Sequence, residues 1–298
     1  MAPIEAILIG AGQRGTDAFG AHALREPEAL KFVAVADPHE GRRKRFADRH
    51  NIPAERQFAS WEEILSKPQM TPLCVNTTMD RMHLETGLAA LEAGYHLLLE
   101  KPMAVTPEEC WVLERAAREK GKMLQIAHPL RFTPFYSKVK QLLEAGAVGD
   151  IINIQMHENV GFWHFAHSYV RGNWRNVDAS GPTILTKCCH DMDLAVWLAD
   201  SPMRSVSSFG NLRWFRKENA PEGAPPRCLD GCPAKDDCAY YAPAYYLTDH
   251  TEYPTDVISV DTSYEAREKA LREGPYGRCV FQSDNTAVDH QVVNGEYE

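Results

Sequence analysis

The sequence predicts an α/β protein whose N-terminal part is a doubly wound parallel sheet. Three observations carry this. Over roughly the first 125 residues, short apolar bursts alternate with amphipathic stretches, the pattern of strands joined by crossover helices. The first burst runs into Gly10-Ala11-Gly12-Gln13-Arg14-Gly15, which opens a helix. An acid, Asp37, closes the second burst 22 residues beyond Gly15.

Each element has a local reason. Ile4–Ile9, Lys31–Ala36, Leu73–Thr77, Tyr95–Leu99 and Lys122–Ala127 are strand-length apolar runs. Arg14–Arg25, Glu40–Arg49 and Asp80–Ala93 read as helices, the last ended by Gly94. Ser60 is placed to cap a short helix over Trp61–Leu65, with Glu62 and Glu63 in its first turn. Thr106 caps a helix that begins at Pro107, since proline suits the first helical position. After Pro129 the alternation stops. Phe135–Ala145 and Gly181–Ala199 read as helices, and Asp150–Glu158, Ser205–Phe215 and Thr286–Tyr297 as strands. These shifts predict two domains, residues 1–127 and 128–298, with a Pro-, Cys- and Tyr-rich segment over 218–254. A chain that stops on a strand raises the expectation that the second sheet is truncated.

Composition narrows the function. Hydrophobic residues make up 44% and charged residues 24%, and the formal charge is -9. That balance fits a globular protein and disfavours a nucleic-acid binder, which needs a basic face to release counterions. No apolar run approaches the roughly 18 residues of a membrane span, and the N-terminus lacks the basic and apolar regions of a secretory signal, so the expected location is the cytoplasm.

The glycine turn is a candidate dinucleotide site. Gly10 permits the tight turn, Gly12 lets backbone approach a pyrophosphate, and Gly15 lets helix and strand pack closely. The helix start, with Gln13 and Arg14, attracts the anion, and Asp37 is placed to bond a ribose. A carboxylate there favours NAD, because a 2′-phosphate would meet like charge. Arg42 and Arg43 lie close in sequence and keep NADP open, although a solvated basic helix face is the better explanation of them.

Glu100-Lys101-Pro102 follows the strand Tyr95–Leu99, itself preceded by Ala93-Gly94. Together with the glycine turn and Asp37, this stretch resembles the Gfo/Idh/MocA oxidoreductase family. Further matches are Thr77-Thr78 with His83, Arg131-Phe132, Gly149-Asp150-Ile151 and His190-Asp191-Met192-Asp193. The resemblance covers Ile4 to about Leu198. It implies a Rossmann domain followed by an α+β domain whose open, mainly antiparallel sheet helps build the substrate cleft and a homo-oligomer interface. It also implies an NAD(P)-dependent dehydrogenase acting on a hydroxyl carbon of a sugar, sugar acid or polyol. Thr77, His83, Glu100, Lys101 and Pro102 would then shape the cofactor pocket, with Pro102 in a cis bond. Lys101 and His190 would face the reacting carbon.

Elementary chemistry agrees with those roles. Hydride leaves a carbinol carbon only if the hydroxyl proton is also taken, which needs a base near neutral pH and a cationic donor on the oxygen. Histidine titrates in that range. On one continuous helix Thr186, Lys187, His190 and Asp193 would share a face, with Asp193 orienting His190 and the first two touching substrate. The family commonly has an aspartate four residues before the histidine; here that position is Thr186, which cannot serve as a base. Lys187 brings positive charge to the region, either toward substrate or into a salt bridge. Arg131 and His128 follow the last strand of the first domain and are candidates to line the substrate cleft. Trp163, Arg171 and Trp174 lie in an aromatic and basic loop that reads either as a sugar-binding wall or as a small core beneath a long loop.

Cys228-x3-Cys232-x5-Cys238, with Cys279, offers four thiolates for a structural zinc ion, a subgroup feature the general family does not need. Free thiols are the simpler alternative. Cys74, Cys110, Cys188 and Cys189 are scattered and lack a nucleophile's context. Two other functions stay open: an NAD-dependent glycoside hydrolase working by transient oxidation and elimination, and a non-catalytic NAD(H) sensor.

Overall fold

The computed structural model describes residues 2–298, which divide into two compact units, one ending at Ala127 and the other spanning His128–Glu298. The two are described in turn.

The first unit is a six-stranded, wholly parallel sheet. Its strands are β1 (Ile4–Ile9), β2 (Leu30–Ala36), β3 (Gln57–Phe58), β4 (Leu73–Asn76), β5 (His96–Leu99) and β6 (Leu124–Ile126), in the spatial order β3-β2-β1-β4-β5-β6. The order reverses between β1 and β4, so the crevice for a ligand lies at the carboxyl ends of those two strands. Helices α1 (Ala21–Arg25), α2 (Glu40–His50), α3 (Trp61–Leu65), α4 (His83–Glu92) and α5 (Pro107–Glu119) make the crossovers.

Side-chain alternation along the strands divides the core. Ile7 and Ile9 point to one face, where they join Cys74, Leu97, Leu99, Leu91 and Leu113. Ala6 and Leu8 point to the other, with Phe32, Val35, Phe46 and Ala47. Both predicted caps form. Ser60 Oγ accepts the Glu63 amide at 3.3 Å, and Thr106 Oγ1 accepts the Glu109 amide at 3.2 Å. Each glutamate reaches back to an amide before the helix, Ala59 at 2.8 Å and Val105 at 3.1 Å, closing a capping box.

The second unit holds α6 (Pro134–Glu144), α7 (Phe162–Phe165), α8 (Val177–Ser180), α9 (Thr183–Thr186), α10 (Cys189–Ala199), α11 (Ala242–Tyr246), α12 (Thr255–Ile258) and α13 (Tyr264–Glu273). Its sheet is a single antiparallel pair, β7 (Met203–Asn211) and β8 (His290–Tyr297). Two expectations fail here. Asp150–Glu158 has no regular secondary structure, because among the described residues no neighbouring strand completes a ladder for it. The helix expected over Gly181–Ala199 is broken. Gly181 sits at φ +112°, and Lys187 at φ −123°, ψ −59° leaves the helical region, so α9 and α10 are separate. Among the described residues no helix is long and apolar enough to cross a membrane.

His167 lies inside this unit, with Nδ1 2.8 Å from the Tyr246 hydroxyl and its ring stacked on Tyr276. Burial is the main force lowering its pKa, to about 3, with His164 and Arg171 adding repulsion. A histidine neutral in the fold and protonated when unfolded destabilises the fold progressively as pH drops below about 6.5. Melting curves at pH 7.5 and pH 5 should therefore show a larger loss for the wild type than for His167→Gln, whose side chain does not titrate.

Candidate functional site

The glycine turn is shaped by what its residues lack. Gly10 sits at φ +94°, and a Cβ there would meet the Thr77 carbonyl oxygen at 2.7 Å. A Cβ on Gly15 would lie 2.2 Å from the Gly10 carbonyl oxygen. These two glycines let the turn press against the end of β4, where the Thr77 amide donates to Ile9 O and its hydroxyl to Gly10 O. Gly12 differs: a Cβ there would have nothing within 4 Å. Its bare backbone faces open space at the start of the Arg14–Gly20 helical turn. Of the three glycines of the motif, this is the one that close packing of the fold does not require.

Asp37 is tied to the same turn. Its Oδ2 accepts the Ala11 amide at 2.8 Å, and Oδ1 accepts the His39 amide at 2.8 Å and Arg42 Nε at 3.3 Å. Arg43 Nη1 donates to the Asp37 carbonyl at 2.6 Å. The two arginines are thus folded onto Asp37 rather than fully solvated. The residues present suit a dinucleotide: open backbone at Gly12, a helix start beside it, and a carboxylate next to the loop.

Across the crevice, Glu100 is buried. Its Oε1 accepts Arg14 Nε at 2.7 Å and its Oε2 the Lys101 amide at 2.9 Å, so one carboxylate joins the glycine helix to the end of β5. The Lys101-Pro102 bond is cis. Lys101 is half-buried, at the carboxyl edge of the sheet, and Gln13 is half-buried beside the turn. His83 is fully enclosed, its ring nitrogens 2.7 Å from Pro102 O and 3.1 Å from Thr78 O. It braces the Lys101-Pro102 segment and is not exposed for direct contact.

In the second unit several expected roles change. Arg131 makes a bidentate ion pair with Asp193, Nε to Oδ2 at 2.7 Å and Nη2 to Oδ1 at 2.6 Å, and its guanidinium lies 5.6 Å from the Trp197 ring. Both carboxylate oxygens of Asp193 are therefore engaged by Arg131. Thr186 is 0% exposed and its hydroxyl donates to Pro182 O, which removes it as a substrate contact. Arg171 is 2% exposed and donates to the carbonyls of Arg278 at 2.8 Å and Tyr240 at 2.7 Å; it is an internal strut, not a sugar ligand. Trp174 is half-buried and packs near Tyr169, while Trp163 is exposed. Lys187 pairs with Glu158 at 2.9 Å. It borders a cleft of about 1160 Å³ that also takes in Asp191, Phe162 and Trp214. Burial first, then Glu158, raises the Asp191 pKa, with Lys187 opposing. His190 does not border that cleft, so Lys187 and His190 do not share the single face a continuous helix would give them.

Cys228, Cys232, Cys238 and Cys279, four of the second unit's six cysteines, gather near Arg171. Its Nη2 lies 3.6 Å from Cys228 Sγ, and an antiparallel bridge between Arg227 and Arg278 brings the chain at Cys228 alongside that at Cys279. Burial pushes the Cys238 and Cys279 thiols up, neighbouring Cys228 and Cys232 add to this, and Arg171 pulls them down. A tetrahedral zinc site with Zn–S near 2.3 Å would place its sulfurs about 3.8 Å apart. Among the described residues, the group with at least three ligand atoms within 4.8 Å of one another is a different one: His128, Cys189 and His190. That trio went unseen in the sequence because 61 residues separate its first two members.

Residues 4–128 match the family described as "Oxidoreductase family, NAD-binding Rossmann fold", and residues 136–226 match the GFO/IDH/MocA C-terminal domain. The chain belongs to the Gfo/Idh/MocA family. Among curated family relatives, it is 38% identical over 142 residues to the scyllo-inositol 2-dehydrogenase (NADP(+)) IolW of Bacillus subtilis, covering 47% of this chain and 38% of that protein. It is 27% identical over 180 residues to 1-carboxy-3-chloro-3,4-dihydroxycyclo hexa-1,5-diene dehydrogenase of Comamonas testosteroni, covering 60% of this chain and 44% of that one. The chain thus spans about half the length of the curated relatives it matches. Among solved structures, the WlbA dehydrogenase from Bordetella pertussis in complex with NADH and UDP-GlcNAcA shares the Gfo/Idh/MocA-type fold, with a TM-score of 0.58 at 23% identity over 70% of this chain and 62% of that one.

The glycines separate fold from binding. Gly12→Ala should leave the melting temperature within error yet weaken NADH binding at least tenfold by fluorescence titration. Gly15→Ala should lower the melting temperature as well, because its Cβ has no room.

Proposed function

We propose that this chain is an NAD(P)-dependent dehydrogenase that moves hydride between a nicotinamide and a hydroxyl carbon of a sugar, sugar acid or polyol. The observation that carries the reading is the open backbone at Gly12 beside the tethered Asp37. Relatives named as an inositol dehydrogenase and a UDP-sugar-acid-bound dehydrogenase support the substrate class.

Gly10, Gly12, Gln13, Arg14 and Gly15 would hold the pyrophosphate, with amides and a helix start supplying positive potential. Asp37 would take the adenosine ribose, which favours NAD. Arg42 and Arg43, already gathered at that corner, supply cations for a 2′-phosphate, so NADP binds more weakly without being excluded. Thr77, Glu100 and Pro102 would form the floor of the pocket, and His83 holds that floor through the Pro102 carbonyl.

When bound, the nicotinamide supplies the hydride acceptor or donor. Lys101 would donate a hydrogen bond to the substrate oxygen and stabilise its developing negative charge. Burial and the anchored Glu100 beside it limit the positions its ammonium can reach. His190, on the first turn of α10, would take the hydroxyl proton during oxidation and return it during reduction. The Arg131–Asp193 ion pair fixes that helix without itself moving a proton.

A screen of sugars, sugar acids and polyols with NAD and NADP, read as NAD(P)H absorbance with product analysis, tests the reading. With an active substrate, Lys101→Met should lower kcat by at least 100-fold while NADH affinity changes little. Asp37→Ser should weaken NAD binding and shift preference toward NADP. Unchanged kcat in the Lys101 variant would defeat the assignment, and aglycone release without net NADH would replace dehydrogenase with glycosidase.

A further inference from the structure

We propose that His128, Cys189 and His190 form a binding site for a thiophilic divalent ion of the zinc class. One ligand atom from each lies within 4.8 Å of the others, and all three residues are half-buried. The two imidazole rings meet edge to face with centroids 5.5 Å apart. Two nitrogens and one sulfur form a ligand set that suits Zn²⁺ and Co²⁺ and is poor for Mg²⁺ or Ca²⁺, which take oxygen ligands.

The site is held from one side by a clamp. Arg131 lies three residues after His128, and Asp193 three residues after His190. Their bidentate ion pair, at 2.6 and 2.7 Å, pins the segment carrying one ligand to the helix carrying the other two. The guanidinium also rests near Trp197, four residues beyond Asp193 on α10. The ligands are therefore brought together by an interaction that does not use them. Cys189 is the first residue of α10, an 11-residue helix, and a helix N-terminus favours the negative charge of a thiolate. Uptake exchanges water ligands of the hydrated ion for one sulfur and two nitrogens, releasing those waters and the thiol proton to solvent. Three protein ligands leave a tetrahedral ion one open position for water or a hydroxyl oxygen, the pattern of zinc sites that act on a substrate.

The site does not rest on the dinucleotide reading but shares His190 with the proposed proton transfer, so an ion held there takes that imidazole out of service as a base; the site's test is independent of turnover. The full chain is titrated with Zn²⁺ against a chromophoric chelator and with Co²⁺ by absorbance, and NADH affinity is measured on the same samples. Cys189→Ser and His128→Gln should each weaken one equivalent of Zn²⁺ at least tenfold and remove the corresponding Co²⁺–thiolate charge-transfer band. Cys238→Ser should leave that band in place. On the wild-type chain, saturating Zn²⁺ should protect Cys189 from alkylation, read by mass spectrometry, while Cys110 reacts as before. Alkylation of Cys189 at the same rate with and without Zn²⁺, or full Zn²⁺ affinity in both variants, would overturn the site. Loss of NADH binding alone would instead count against the dinucleotide reading.

Discussion

The close approach of the glycine turn to the end of β4 is the constraint on which the first unit depends. Any side chain at Gly10 or Gly15 would strike backbone, so the turn closes only because these positions are bare. Once it is closed, the Ala11 amide reaches Asp37 and Arg14 reaches Glu100, which in turn holds Lys101. Three separate strand ends are thereby fixed around one patch of exposed backbone. The glycine turn, Asp37 and Lys101 then lie at the carboxyl edge of the sheet, where the strand order reverses.

The second unit is organised differently. Its sheet is small, and much of its ordering comes from buried or half-buried arginines. Arg171 and Arg267 are each about nine-tenths or more enclosed and donate to backbone carbonyls, Arg267 to Tyr246 at 2.7 Å and Thr248 at 2.8 Å. A guanidinium presents five donors in a plane, enough to satisfy several carbonyls of irregular chain at once. Arg131 does the same for α10 through Asp193. These interactions explain how loop-rich sequence over 218–254 takes up a definite arrangement.

The parallel sheet was legible because each of its strands is an apolar run bounded by a turn residue or cap, as at Gly94 and Thr106. Only β3, two residues long, escaped notice. In the second unit the apolar pattern from Ile184 to Leu198 continues across Lys187 and Cys188, so periodicity alone reads one helix where the backbone makes two. That break undid the shared face assigned to Thr186, Lys187 and His190. Residue chemistry also misled at Arg171, since an arginine in an aromatic loop suggests a ligand until its carbonyl partners are seen. The partners of Asp193 and of Cys189 lie about 60 residues away, and no local spacing encodes such contacts.

A crystal structure of the chain with NADH tests the central claim most directly. The account predicts the pyrophosphate against the Gly12 backbone, with the adenosine ribose hydroxyls bonded to the Asp37 carboxylate. A dinucleotide bound elsewhere, or one that keeps clear of Gly12 and Asp37, would contradict it.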